Sequence, residues 1–231
     1  MDIRFIDHSG FIVELEKYVL LFDYYQGEIP DIPDKTWIVF ASHFHQDHYN
    51  SAIFDLRDRY EDVRYVLSKD IYKHRKRTLK PPYELLVANQ VYDFGDFHVE
   101  TYFSTDEGVA FYVEIEGRSI YHAGDLHWWH WIGEPDADNL YMEKKFKEQM
   151  GYLSKHKIDV AFMLLDPRQE AAYDWGMNYF LENVTAKHVF PMHQWGDFAL
   201  TDQYLRSEAG RRFATRLIKV DHVGQTWHNV E

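Results

Sequence analysis

Three histidines and an aspartate stand close together in His43-Phe44-His45-Gln46-Asp47-His48, directly after the apolar run Trp37–Ala41. If that run is a buried strand, His43 and His45 leave its end in extended chain, where residues two apart point to the same side. Asp47 and His48 then fall in the turn before a helix that Asn50 or Ser51 caps, and they reach the same cavity from another direction. Composition alone would generate such a pattern in roughly five of a thousand chains of this make-up. A solvated surface loop gives four such groups no reason to crowd together. The segment demands a fold that ends a buried strand on a cavity lined by nitrogen and oxygen donors. Such donors suit Zn, Fe, Mn or Ni and do not choose among them.

What is missing narrows the chemistry further. The chain has no cysteine, so disulfides, thiolate metal clusters and cysteine nucleophiles are excluded. No Gly-x-Ser-x-Gly, Gly-x-Gly-x-x-Gly or Gly-Lys-Ser/Thr motif occurs. The 231 residues carry a net charge of −13, which opposes partners bound by phosphate neutralisation, nucleic acid and anionic membranes among them. The N-terminus lacks a signal-like apolar stretch, and no segment nears the roughly 20 apolar residues of a membrane span. The expectation is a cytoplasmic protein with a small-molecule partner.

Along the chain, Arg4–Ile6, Phe11–Leu15, Tyr18–Phe22 and Trp37–Ala41 read as strands separated by turn-formers. Ser51–Tyr60 reads as a short helix and Val63–Leu67 as a strand. The basic stretch Asp70–Lys80 reads as a solvated helix face ended by Pro81-Pro82. Strands return at Val91, Phe97–Phe103, Val109–Glu116 and Ser119–His122. A helix from about Ala137 to His156 is expected to bury Leu140, Phe146, Met150 and Leu153. Val160–Leu165 and His188–Met192 read as buried strands, Tyr173–Leu181 as a helix, and Ala199–Phe213 as a last long helix. No repeat or linker divides the chain. Two strand groups, each followed by helices, predict an α+β fold in which residues 1–231 form one domain.

The segment His43-x-His45-x-Asp47-His48 after an apolar strand resembles the signature of the metallo-β-lactamase-fold hydrolases. Other segments agree in order. His8-Ser9-Gly10-Phe11 with Val19–Asp23 resembles the opening hairpin of the lactonase-like branch related to the ascorbate-6-phosphate lactonases. Ile120-Tyr121-His122-Ala123-Gly124-Asp125 resembles the strand whose aspartate bridges two metals, and Val189–His193 the strand that delivers the last histidine. The resemblance implies a four-layer αββα sandwich. It also implies one or two divalent ions (Zn, Mn or Fe), with His43 and His45 at one site, Asp47, His48 and His193 at a second, and Asp125 between them. Asp47 and Asp125 would be the catalytic carboxylates, Asp47 binding metal and steering a proton. Metal-activated water would cleave an ester-like bond of a small molecule, a lactone or carboxylic ester first and a phosphodiester second.

One element of the pattern is absent. Where the first site normally gains a third histidine, the chain reads Phe103-Ser104-Thr105-Asp106-Glu107-Gly108. Asp106 is the expected substitute ligand, and a carboxylate shifts preference toward Mn or Fe. The competing expectation is a plain turn, which leaves a metal- or ligand-binding protein with lost or altered catalysis. Asp23 reads as the carboxylate that orients a bound imidazole, and His122 as packed in the core. His8 is balanced between pocket and structural roles. Of the run His127–Trp131, at least one of His127 and His130 is expected to reach the cavity. Arg168 either clamps an anionic substrate group or pairs with a carboxylate.

Overall fold

Period-two alternation decides where the first sheet's side chains go. In β3 (Tyr18–Phe22) and β4 (Thr36–Ala41), Leu20, Phe22, Ile38 and Phe40 enter one core, while Val19, Leu21, Trp37 and Val39 enter another. A sheet buried on both faces needs covers on both. The computed structural model, which describes residues 1–231, supplies them as a second sheet on one face. On the other face lie a 3₁₀ helix at Ser51–Asp58 and α1 (Lys69–Arg75).

The first sheet adds β1 (Asp2–Asp7), β2 (Gly10–Glu14), β5 (Val63–Ser68), β6 (Glu84–Leu86) and β13 (Thr226–Trp227), in the order β13-β1-β2-β3-β4-β5-β6. The second contains β7 (Val91–Asp93), β8 (Phe97–Phe103), β9 (Val109–Ile115), β10 (Arg118–His122), β11 (Lys157–Leu164) and β12 (Thr185–Met192), in the order β12-β11-β10-β9-β8-β7. Each sheet is antiparallel on one side and parallel on the other. Aromatic rings fill the space between them: Phe11 stacks on Phe162 at 4.2 Å and Phe40 meets Phe111 at 5.3 Å.

The second sheet's outer face is covered by α2 (Asp136–Leu153) and α3 (Trp175–Asn183), whose Phe146, Met150 and Phe180 join the same core. This is the αββα sandwich expected from the sequence. No helix is long and apolar enough to cross a membrane.

Four local expectations need correction. Leu140 is 64% exposed; the buried face of α2 instead includes Asn139 and Gln149. Asn139 bonds the backbone of Trp131 at 2.9 and 3.0 Å, and Gln149 accepts from the Phe103 N–H at 3.0 Å. Buried amides that tie down loops look polar to a periodicity argument. The last long helix is two, α4 (Ala199–Arg206) and α5 (Glu208–Arg212). Ser207 turns extended between them and its Oγ accepts the Gly210 N–H at 2.9 Å, a cap that starts a new helix. The Ser51–Tyr60 helix is a 3₁₀ coil ending at Asp58, and the basic stretch holds its α-helix only to Arg75.

Candidate metal centre

The chemistry-bearing residues follow strand ends. Beyond β4 come His43, His45, Asp47 and His48; beyond β8, Asp106; beyond β10, Asp125; beyond β12, His193. Backbone bonds lock these loops to one another. The Ser42 carbonyl accepts the Val109 N–H at 3.0 Å, and the His8 carbonyl accepts the His193 N–H at 3.0 Å. The β8–β9 loop comes this close because Gly108, at φ +68°, has no side chain: a Cβ there would lie 2.0 Å from the Ser42 carbonyl oxygen. On the far side α1 grips the residue between two histidines. Asp70 accepts the Phe44 N–H at 2.9 Å, Arg75 Nε donates to the Phe44 carbonyl at 3.2 Å, and His74 stacks on the Phe44 ring at 4.0 Å.

Two groups of donor atoms result. His43, His45, Asp106 and Asp125 form one, and His8, Asp47, His48 and His193 the other; within each, all donor atoms lie within 4.8 Å of one another. Asp125 faces both. Its Oδ2 is 3.6 Å from His43 Nε2, and its Oδ1 is 3.2 Å from His48 Nε2 and 3.4 Å from His193 Nε2. Asp106 Oδ2 lies 3.3 Å from His45 Nδ1, and Asp47 Oδ2 lies 3.3 Å from His8 Nε2. The groups differ in access: His45 and Asp106 side chains are 39% and 42% exposed, whereas His48 and His193 are sealed.

Three of the site's buried imidazoles are oriented from behind. His48 Nδ1 meets Asp23 at 2.7 Å, His193 Nδ1 meets Asp166 at 2.9 Å, and His43 Nδ1 meets Ser42 Oγ at 2.9 Å. Ser42 gives its one hydroxyl proton to Asp23 at 2.6 Å, so His43 Nδ1 must be the donor in its own bond. In every case the proton is held at Nδ1 and Nε2 faces the cleft. The Nε2 atoms of His8, His43, His48 and His193, with Asp125 Oδ1, are buried and make no hydrogen bond. Four orphaned buried imidazole nitrogens around two carboxylates fit a divalent cation.

The electrostatics agree. Burial, reinforced by the neighbouring His48, drives the His43 pKa down to about 3. Burial also opposes charge on His48, yet Asp125 and Asp23 beside its two nitrogens raise its pKa well above the usual value. Burial works against ionised Asp125 too, but His48, His193 and His43 outweigh it and hold its carboxyl well below the usual range. The cluster therefore favours positive charge at its centre, which a proton or a metal ion supplies. Asp106 is pushed up by burial and by the nearby Asp125 charge, which outweigh the His45 imidazole beside it.

Other sequence expectations resolve individually. His8, left balanced, joins the second group. Asp23 stands behind His48 as expected, but Asp166, which does the same for His193, was missed. The available signal was shared: both follow closely on a buried apolar run, Asp23 after β3 and Asp166 after β11. His122 is buried, with Nε2 2.9 Å from the Ser9 carbonyl and Nδ1 accepting the Gly124 N–H at 3.1 Å, so it shapes the turn toward Asp125. The expectation that His127 or His130 reaches the cavity fails. His127 is fully buried behind Gly176 and His130 packs on Trp175 at 4.6 Å. Trp129, Trp131, Trp195 and Arg168 line the cleft of about 230 Å³ with the donor groups instead.

An α+β sandwich with strand-end histidines and aspartates gathered around Asp125 is the layout of a metallo-β-lactamase-type protein. The chain belongs to the beta-lactamase superfamily domain family, whose model matches residues 2–136. A UPF0173 metal-dependent hydrolase of Alkaliphilus metalliredigens is 26% identical over 148 residues, which is 54% of this chain and 63% of that relative's length. Among solved structures, Igni18, a metallo hydrolase of Ignicoccus hospitalis, superposes with TM-score 0.67 at 13% identity over 98% of both chains. CmlA, a diiron beta-hydroxylase of Streptomyces venezuelae, gives 0.68 at 11% identity over 98% of this chain and 53% of its own. YhfI of Bacillus subtilis gives 0.62 at 15% identity over 98% and 99%. These structures share the fold; the family match takes in every donor except His193.

Proposed function

We propose that this protein is a metal-dependent hydrolase that cleaves an ester-like bond of a small molecule. The observation that carries the reading is the set of buried, unpartnered imidazole Nε2 atoms of His8, His43, His48 and His193, turned toward Asp125. His43, His45, Asp106 and Asp125 would hold one divalent ion. Asp47, His48, His193, Asp125 and His8 would hold a second. Bound there, such ions lower the pKa of water and polarise a scissile carbonyl or phosphoryl group. The chain's own residues do the rest. Asp23, Asp166 and Ser42 keep the protons of His48, His193 and His43 at Nδ1. Asp47, whose carboxyl is held ionised as His8 and His48 outweigh its burial, is placed to accept and pass on a proton. Trp129 and Trp131 exclude water from one side of the cleft and offer flat surface to an apolar group.

The donor set of Asp106 with His45 in place of two imidazoles makes the first group harder, which favours Mn or Fe over Zn. Lactones and carboxylic esters are the leading substrates and phosphodiesters the second. The exposure of His45 and Asp106 favours one rival, a metal- or ligand-binding protein whose open first site no longer supports turnover. Assay of the Mn- and Zn-loaded protein on lactones, aryl esters and bis-aryl phosphodiesters separates them. Turnover abolished in both His45→Ala and Asp47→Ala supports the hydrolase; metal uptake with no turnover on any class supports the binder.

A further inference from the structure

Arg168 is the only Lys or Arg among the residues lining the cleft. The 3₁₀ turn Pro167–Ala172 sets it there, opened by Asp166, whose carboxylate accepts the Arg168 N–H at 2.9 Å. Asp166 also engages Arg168 Nε at 3.0 Å and Nη2 at 2.5 Å, while Nη1 has no partner within the chain. Three of the five guanidinium protons are therefore unspent. Two indoles flank the fork: its carbon lies 4.6 Å from the Trp195 ring centre and 5.7 Å from that of Trp131. A half-exposed arginine held by a carboxylate and flanked by two aromatic rings, in a cleft that also holds Asp47, Asp106 and Asp125, is a preorganised fork, and a fork of this shape fits oxyanions bidentately.

We propose that Arg168, braced by Trp131 and Trp195, is an oxyanion subsite beside the metal donors. The substrate it selects is a small ester or lactone carrying a carboxylate or phosphate next to a flat apolar part. The proposal rests on the hydrolase reading of the neighbouring site. The cleft of about 230 Å³ is smaller than the roughly 300–1,000 Å³ typical of drug-sized ligand sites, so the molecule is compact. Asp166 balances the guanidinium's charge, so orientation comes from the unspent Nη protons, which offer an anion donors that Asp47, Asp106 and Asp125 lack.

The test is tryptophan fluorescence titration of the Zn-loaded protein with 4-hydroxybenzoate, phenylphosphonate and the neutral 4-hydroxybenzamide. In the parent, at least one anion is expected to bind about tenfold or more tightly than the amide, a difference of about 1.4 kcal/mol. The tighter of the two anions names the natural oxyanion. In Arg168→Gln at equal bound metal, the preference is expected to fall to within about threefold. An undiminished preference would mean that the anion sits on the metal and would overturn the proposal. A measurement that needs no variant runs beside it: phenylglyoxal labelling of Arg168, followed by peptide mass spectrometry. Slower labelling with 4-hydroxybenzoate but not with the benzamide supports the subsite, and equal labelling overturns it. Hydrolysis rates separate the two readings. Ester turnover with equal kcat/KM for 4-acetoxybenzoate and phenyl acetate sinks the subsite alone; anion-selective binding with no ester turnover sinks the hydrolase alone.

Discussion

Asp23 shows how much one buried side chain organises. It accepts the Ser42 N–H at 2.7 Å, the Ser42 hydroxyl at 2.6 Å and the His48 Nδ1 proton at 2.7 Å, and it is fully buried. Asp23→Asn keeps the shape but places an NH₂ where a proton must be accepted, so His48 loses its fixed orientation. Divalent-metal affinity, read by competition with a chelating dye, is expected to fall about 10- to 100-fold; unchanged affinity would show that His48 needs no such support. Asp106→Ala is expected to remove the metal bound between His45 and Asp125 and to leave the second group loaded. Identical metal content in parent and variant would return Asp106 to the status of a turn residue. The motif His43–His48 was readable from spacing because a strand end fixes which side chains share a face. His8 and Asp166 were not, because each acts across a contact between loops some 185 and 27 residues apart in sequence from His193, and no local pattern records such a pairing.

Elements place these residues only if loops meet closely, and among the loops that carry the donors the β8–β9 loop makes the closest approach. Gly108→Ala adds a Cβ 2.0 Å from the Ser42 carbonyl oxygen and 2.6 Å from His43 Cβ, at a φ of +68°. Gly117 at the β9–β10 hairpin has nearly the same φ, +69°, with nothing within 4 Å of a Cβ. Gly117→Ala should cost only the left-handed conformation, about 1 kcal/mol. Gly108→Ala should cost that plus displacement of the loop, roughly 3 kcal/mol or more in urea unfolding, with weaker metal retention. Equal costs would mean the loop yields freely and does not position Asp106. Strand positions were legible because β-branched and aromatic runs between turns carry their own signal. The split of the last helix at Ser207 and the exposure of Leu140 were not, since both depend on hydrogen bonds to backbone that periodicity does not see.

Across the molecule, the two parallel halves bring distant strand ends to one edge of the sandwich, and stability and metal binding are thereby linked. Buried His127, whose ring nitrogens have no partner, has its pKa pushed down by desolvation to about 4. A histidine depressed in the folded state stays neutral while the unfolded chain takes up a proton below about pH 6.5, so its contribution is intact above that pH and is lost on acidification toward 4. For chelator-treated protein this amounts to roughly 3 kcal/mol between pH 7 and pH 4. His127→Gln should flatten the pH dependence of the urea midpoint by that share; an unchanged slope would place the acid sensitivity elsewhere. The layered sandwich followed from the succession of strand and helix patterns together with the resemblance, while the strand order within each sheet and the choice of Asp166 as the partner of Arg168 needed the fold. The most direct test of the account is bound metal per chain, measured by elemental mass spectrometry after Zn or Mn loading and desalting, in the parent and in Asp125→Ala. The account predicts that the parent retains divalent metal and that Asp125→Ala, still folded by circular dichroism, loses most of it, because Asp125 faces both donor groups. A parent that retains no metal, or a variant that holds as much as the parent, would contradict it.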